Sequence, residues 1–328
     1  MRGLFFGLAV LLFSLTAHAK SEREFFLTID EEKIFVRHKP AAEGQPTLVL
    51  LNGLTYSTRD WNSFASALQS ANSKVGILRF DFYAMGKTLL EGKLPVFATV
   101  PYQKQVSLLA KILRELEIDR PHLVGLSYGG GIAIAYAAEY PSKVGQIFLM
   151  APFTEPLESQ DRWIRTQIHL NRIAFPYNPA SDDELYDYFL RQIVFSTYPS
   201  AEPSVLENPY KLEAVFRMVQ GIRKFQAKTF VKDLPENSIH LLVANQDQYI
   251  PQEVMDRFWK SLPKGKRASR INISYSEHKI PEAIPAFTAA WILEALTNPL
   301  LQEGKVFEGT SWRFEATTGA KTISLPKP

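Results

Sequence analysis

Gly125-Leu126-Ser127-Tyr128-Gly129 carries the residue types of a nucleophilic elbow. A serine held at a tight turn between a strand and a helix is thrust clear of the backbone, and flanking glycines let the turn close without clash. Such a hydroxyl is a weak nucleophile until a base takes its proton. Of the six histidines, His18, His38, His122, His169, His240 and His278, only His278 lies in a loop directly after a strand-like run, Ile271-Asn272-Ile273-Ser274-Tyr275. That position puts it at the same sheet edge as Ser127, with a pKa range suited to general-base work. The imidazole in turn needs a carboxylate to fix its tautomer. Asp247, just past the apolar run ending at Ala244, is the expected partner. Glu155 and Glu277 are alternatives, the latter requiring a sharp fold back onto its neighbour. Charge developing on a carbonyl oxygen would be met by two backbone N–H groups, those of Tyr128 and Leu54, each worth about 2.7–4 kcal/mol in the transition state. Gly53 lets the second loop turn inward.

The surrounding pattern supplies elements to hold these groups. Residues 24–29 and 33–39 read as two short strands joined by Asp30-Glu31-Glu32. Residues 47–51, 75–80, 122–126, 144–150, 238–244 and 269–274 are apolar runs of the kind buried on both faces of a parallel sheet. Helical spacing falls between them, at 60–70 with Asp60 as cap, at 102–116, after Ser127, after Pro251 and at 280–296. Strand and helix alternate, which predicts an α/β fold with a doubly wound, mostly parallel sheet and an antiparallel pair at one edge. From Pro152 to about Pro235 the strand signals stop. Residues 161–170, 181–193 and 208–226 read as consecutive helices in an aromatic-rich block, a helical cap inserted over the sheet. The expected division is a core over 20–152 and 236–300, a cap over 153–235 and a tail over 301–328, as either a short hairpin or a loose end.

Met1-Arg2, an uncharged apolar run over 4–16 and Ala17-His18-Ala19 have the form of a secretory leader over 1–19, cleaved after Ala19. An uncleaved anchor is the alternative, though the run is short for a span. Export to the periplasm or the exterior follows. The chain has no cysteine, which excludes a disulfide framework, thiol catalysis and cysteine-ligated metals. A net charge of +3 without a basic stripe gives no reason to expect nucleic acid as a partner.

On Gly125-x-Ser127-x-Gly129-Gly130, Asp247 ahead of Pro251, His278 and Asp81-Phe82-Tyr83-Ala84-Met85-Gly86, the chain resembles the α/β-hydrolase superfamily, in its cap-bearing, esterase- and lipase-like group. The resemblance runs from about residue 24 to 296. It implies that Ser127 attacks, His278 relays protons, Asp247 orients and no cofactor is needed. Two departures stand out. Asn52-Gly53 replaces the usual His-Gly, and Tyr83-Ala84-Met85-Gly86-Lys87-Thr88 replaces the usual Arg-Gly-x-Gly-x-Ser. The expected reaction is hydrolysis of a small apolar carboxylic ester, with transient contact with a lipid surface. The same triad also serves thioesters, lactones, amides and C–C bonds, and a non-catalytic binding protein on this fold is the reading from another class.

Overall fold

The computed structural model describes residues 21–91, 98–201, 203–206, 210–273, 276–297, 304–305, 313–316 and 322–324. The expected leader over 1–19 and most of the tail lie outside the described residues. The chain begins with β1 (Arg23–Ile29), β2 (Glu32–Lys39) and β3 (Thr47–Leu51), then α1 (Asn62–Ala71), β4 (Gly76–Phe80), α2 (Gly86–Glu91) and α3 (Tyr102–Glu115). β5 (His122–Leu126), α4 (Tyr128–Glu139) and β6 (Ile147–Met150) follow. Three helices come next, α5 (Glu158–Ala174), α6 (Asp182–Ala201) and α7 (Lys211–Ile222). The core resumes with β7 (Ile239–Ala244), α8 (Gln252–Ser261), β8 (Arg267–Ile273), α9 (Ile280–Ala283) and α10 (Pro285–Thr297).

These strands form an eight-stranded sheet in the order β1-β2-β4-β3-β5-β6-β7-β8. β1 and β2 pair antiparallel at the edge, β2 is antiparallel to β4, and all remaining pairs are parallel. β4 through β7 are buried almost throughout, which explains their unbroken apolar runs. Successive side chains point to opposite faces and so feed two cores. Val49, Leu51, Leu123, Leu149 and Leu241 pack with α3, α4 and α8 on one face. Leu48, Leu50, Val124, Phe148 and Leu242 pack with α1 and α10 on the other.

α5, α6 and α7 lie between β6 and β7, where the strand signals stop. Their buried Ile164, Leu190, Val194, Phe216 and Met218 join the first of the two cores. Buried Glu213 on α7 takes Arg217 at 2.9 Å and also Arg191 of α6, which ties two cap helices together. No helix among the described residues is long and apolar enough to cross a membrane.

Some boundaries differ from the sequence reading. Asp60 does not cap α1: its carboxylate accepts from the Ser57 N–H (2.6 Å) and hydroxyl (2.9 Å), and the helix starts two residues later. The last helix is broken into α9 and α10, because Pro285 has no N–H to continue the ladder. α6 runs on through Pro199 to Ala201 rather than stopping near Ile193. In the tail, β9 (Gly304–Lys305), β10 (Arg313–Ala316) and β11 (Thr322–Ser324) pair as a separate antiparallel sheet.

Candidate active site

β5 ends at Leu126 and α4 starts at Tyr128, leaving one residue for the turn. That residue, Ser127, has φ 51° and ψ −115°, a conformation a non-glycine residue adopts only under constraint, at about 1–3 kcal/mol. The constraint is visible. The Ser127 N–H donates to Met150 O (3.0 Å), and the Ser127 carbonyl accepts from Phe153 N (2.8 Å) and Gly130 N (2.9 Å). Close approach needs glycine here: a Cβ on Gly125 would lie 2.6 Å from Gly130 Cα, and one on Gly129 would lie 2.2 Å from Leu51 O.

Asp247 and His278 follow β7 and β8 at the same edge of the sheet. His278 Nδ1 lies 2.7 Å from Asp247 Oδ2. The other carboxylate oxygen accepts from the N–H groups of Tyr249 (2.7 Å) and Ile250 (2.8 Å), which fixes its orientation. An Nδ1–H donated to Asp247 leaves Nε2 as the basic nitrogen. Both side chains are nearly shielded from solvent. Ser127, His278, Leu54 and Tyr128 all line one cavity of about 140 Å³. As the first residue of α4, Tyr128 carries an N–H that no carbonyl of its own helix can accept.

The loop bearing Leu54 is pinned at both ends. Asn52 Nδ2 donates to Phe80 O (3.0 Å), and Asn52 Oδ1 accepts from Trp61 Nε1 (2.8 Å). Asp81 accepts from Thr58 N (2.7 Å) and Lys87 N (2.8 Å). Burial, only partly offset by those two donors, pushes the Asp81 carboxyl up to about 6. Gly86, at φ +46°, leaves room for that carboxylate; a Cβ there would lie 2.3 Å from Asp81 Oδ2. Beyond the loop lies a second, larger hollow of about 720 Å³, which shares Leu54, Thr55 and Tyr56 with the first as a common wall. Among the described residues, no group of three or more His, Asp or Glu side chains is placed to hold a metal ion.

A sequence profile of the α/β hydrolase family matches residues 48–278, well over half of the chain. The chain is an α/β hydrolase. Among its curated relatives, a 2-hydroxy-6-oxononadienedioate/2-hydroxy-6-oxononatrienedioate hydrolase of Burkholderia vietnamiensis is 29% identical over 136 residues, 40% of this chain and 46% of that protein. A proline iminopeptidase of Clostridioides difficile is 30% identical over 125 residues, 38% of this chain and 40% of that one. The chain thus spans less than half the length of either relative. Among solved structures, an α/β hydrolase from a Medee basin deep-sea metagenome library superposes with a TM-score of 0.61 at 16% identity, over 83% of this chain and 97% of that one. A meta-cleavage product hydrolase gives 0.59 at 17% identity, over 84% and 98%. At such identities these likenesses show the fold.

Within this hydrolase the remaining histidines and acids have other partners. His240 is buried, with Nδ1 2.7 Å from Ser269 Oγ and Nε2 2.8 Å from Gln146 Oε1, and it stacks on Phe148. His122 Nδ1 accepts from Gln146 N (2.8 Å). Burial holds His240 down at about 3 and His122 at about 4. His38 is buried on β2 and His169 exposed on α5. Glu155 pairs with Arg257 at 2.5 Å, and Glu277 is exposed. The sequence reading did not find Trp61 and Thr58, the partners that anchor the Leu54 loop. Nor did it find the cap residues Leu190, Ile193 and Val194 that wall the cavity. An indole nine residues after Asn52 has no signature of its own; its role depends on meeting that amide in space.

Proposed function

We propose that this α/β hydrolase cleaves a carboxylic ester through an acyl-enzyme on Ser127. His278 acts as general base and then general acid, Asp247 orients it, and the N–H groups of Leu54 and Tyr128 receive the oxyanion. The observation that carries this reading is the strained Ser127 backbone, which opens into the cavity that also holds the Asp247-paired His278. Attack forms a bond between Ser127 Oγ and the carbonyl carbon while the proton passes to His278. Collapse expels the alcohol, which takes that proton, and water repeats the sequence to release the acid.

The cavity wall, with Leu126, Leu157, Leu190, Ile193, Val194 and Ile222, favours an apolar ester. A second reading is C–C bond hydrolysis, favoured by relatives named as hydrolases of 2-hydroxy-6-oxo dienedioates. Lys279 is the one lysine or arginine in the described lining, a single cation for a substrate with two carboxylates, so ester hydrolysis is preferred. We place the enzyme in the periplasm or outside the cell, acting in at least transient contact with a lipid surface. A fluorophosphonate probe should label the wild type and not Ser127→Ala, and a p-nitrophenyl ester series should be turned over by mature protein from Lys20. A wild type that neither labels nor hydrolyses any member would sink the proposal, and turnover of a dienedioate alone would select the second reading.

A further inference from the structure

Among the described residues, four large apolar side chains left in solvent fall within eight consecutive positions. Leu170 is 51% exposed, Ile173 66%, Phe175 62% and Tyr177 96%, all in or beside the turn that joins α5 to α6 at the rim of the cap. From Ile173 to Ser181 the chain carries no charged residue. Of the charges that flank it, Arg172 Nη2 lies 2.7 Å from Asp182 Oδ1 and Asp183 Oδ1 lies 3.4 Å from Arg223 Nη2, while Glu184 accepts from the Ser181 N–H at 2.7 Å.

The turn is also built rigidly from within. Arg172 donates to the carbonyls of Asn178 (3.0 Å) and Ala180 (2.6 Å). Asn178 N donates to Phe175 O (3.0 Å), and Phe175 N to Asn171 O (2.8 Å). Asn178 Nδ2 donates to Asn171 Oδ1 (2.9 Å), while Asn178 Oδ1 accepts from Ala180 N (3.0 Å). Non-helical backbone is expensive to take out of water unless its polar groups already have partners. Here the N–H groups of Phe175, Asn178 and Ala180 and the carbonyls of Phe175, Asn178 and Ala180 have partners, which lowers the polar cost of taking the tip out of water.

We propose that residues 170–177 form a preassembled wedge that inserts into the interfacial layer of a zwitterionic phospholipid bilayer. The side-chain set fits that environment, with aliphatic groups for the acyl boundary and a tyrosine to span to the headgroups. Four side chains fall well short of the about 20–30 residues a side that a standard protein interface engages, which argues against a second copy as the occupant. The one cation within residues 170–177, Arg172, is already paired with Asp182, and the charges that follow are carboxylates, so attachment rests on apolar insertion and not on anionic lipid. The wedge deepens the lipid-surface part of the reading above and is independent of the triad. Its helices α5 and α6 also wall the candidate catalytic cavity, through Gln160, Leu190 and Ile193 among others, so the wedge and the cavity are joined by the same two helices.

The test is co-sedimentation with phosphatidylcholine vesicles in large excess. Wild type and Ser127→Ala should pellet alike, and the double variant Ile173→Ser/Phe175→Ser should bind at least tenfold more weakly. Raising salt to about 0.5 M should leave wild-type binding unchanged, since screening acts on charges. The double variant should keep its thermal midpoint and its turnover of a short, water-soluble p-nitrophenyl ester. Wild type remaining in the supernatant, equal binding by the double variant, or release by salt would each overturn the wedge. So would a wild-type dimer that the double variant loses. If the vesicles bind but the soluble ester is untouched, the ester reading fails and the wedge stands.

Discussion

Replacing Gly129 by alanine should damage both stability and turnover, and the structure gives the size of the effect. The added methyl would lie 2.2 Å from Leu51 O, 2.5 Å from Leu51 C and 2.7 Å from Asn52 O. All three are backbone atoms, so no side chain can swing away. Restoring ordinary contact requires the elbow and the end of β3 to separate by about 1 Å, and overpacking of this kind costs about 1–3 kcal/mol. The same displacement carries the Leu54 N–H away from the Tyr128 N–H. A misplacement of about 1 Å in a reacting array costs on the order of 10²-fold in rate. Gly53→Ala is the control. Its methyl would come no nearer than 3.5 Å to any atom beyond its chain neighbours, with Leu126 Cδ2 at 3.5 Å, Leu126 Cγ at 3.6 Å and Ser127 Cβ at 3.7 Å, all ordinary contacts. Urea midpoints and kcat on a p-nitrophenyl ester should therefore separate the two variants, with Gly53→Ala near wild type in stability and Gly129→Ala well below it. A Gly129→Ala enzyme with an unchanged midpoint and kcat within about threefold of wild type would refute the reasoning.

Asn52→Leu strands the buried Trp61 N–H and Phe80 carbonyl, and at about 1–3 kcal/mol per orphaned group the loss should be about 2–6 kcal/mol by denaturant unfolding; a loss under about 1 kcal/mol would contradict the clamp. Asp247→Asn keeps an acceptor for Tyr249 and Ile250 but offers His278 the wrong partner, so kcat should drop about 10³–10⁴-fold with little change in thermal midpoint. His240 and His122 stay neutral in the fold down to about 3 and about 4, while their ordinary value is 6.5. Unfolding therefore takes up protons below about 6.5, and this contribution to stability is lost as pH falls through that window and is whole above it. Asp81 acts in the opposite sense. Its carboxyl, raised from 3.8 to about 6, keeps a proton that the unfolded chain releases, so its contribution grows as pH falls between those values. His240→Asn should flatten the fall in urea midpoint between about pH 6.5 and about pH 4.5, and Asp81→Asn should steepen it; unaltered slopes would contradict both assignments.

The strands were legible because burial on both faces leaves an unmistakable record: residues 47–51 and 122–126 coincide with β3 and β5. The order Ser127, Asp247, His278 could be read because each residue closely follows such a run, and strand ends are where a parallel sheet gathers side chains. Less legible were features decided by a single competing bond. Asp60 looks like a helix cap, yet the Ser57 N–H and hydroxyl claim its carboxylate first. The helix expected to end at Ile193 runs on through Pro199, since a proline in the final turn removes only one ladder bond. The clamp on the Leu54 loop joins Asn52, Trp61 and Phe80, distant in sequence and linked only by the way β3 and β4 lie side by side. Periodicity carries no information about such a meeting. The same holds for the cavity wall, where cap and core side chains face each other across a gap that no local pattern encodes.

The partition between the two hollows is a short stretch of peptide, Leu54 to Tyr56, and it is the very stretch proposed above to present an oxyanion donor. On that proposal, a guest molecule too large for the smaller chamber must press on the part that speeds its own cleavage. Selection for a longer guest and selection for a faster reaction then act on the same few peptide units, and neither trait is free to drift without the other.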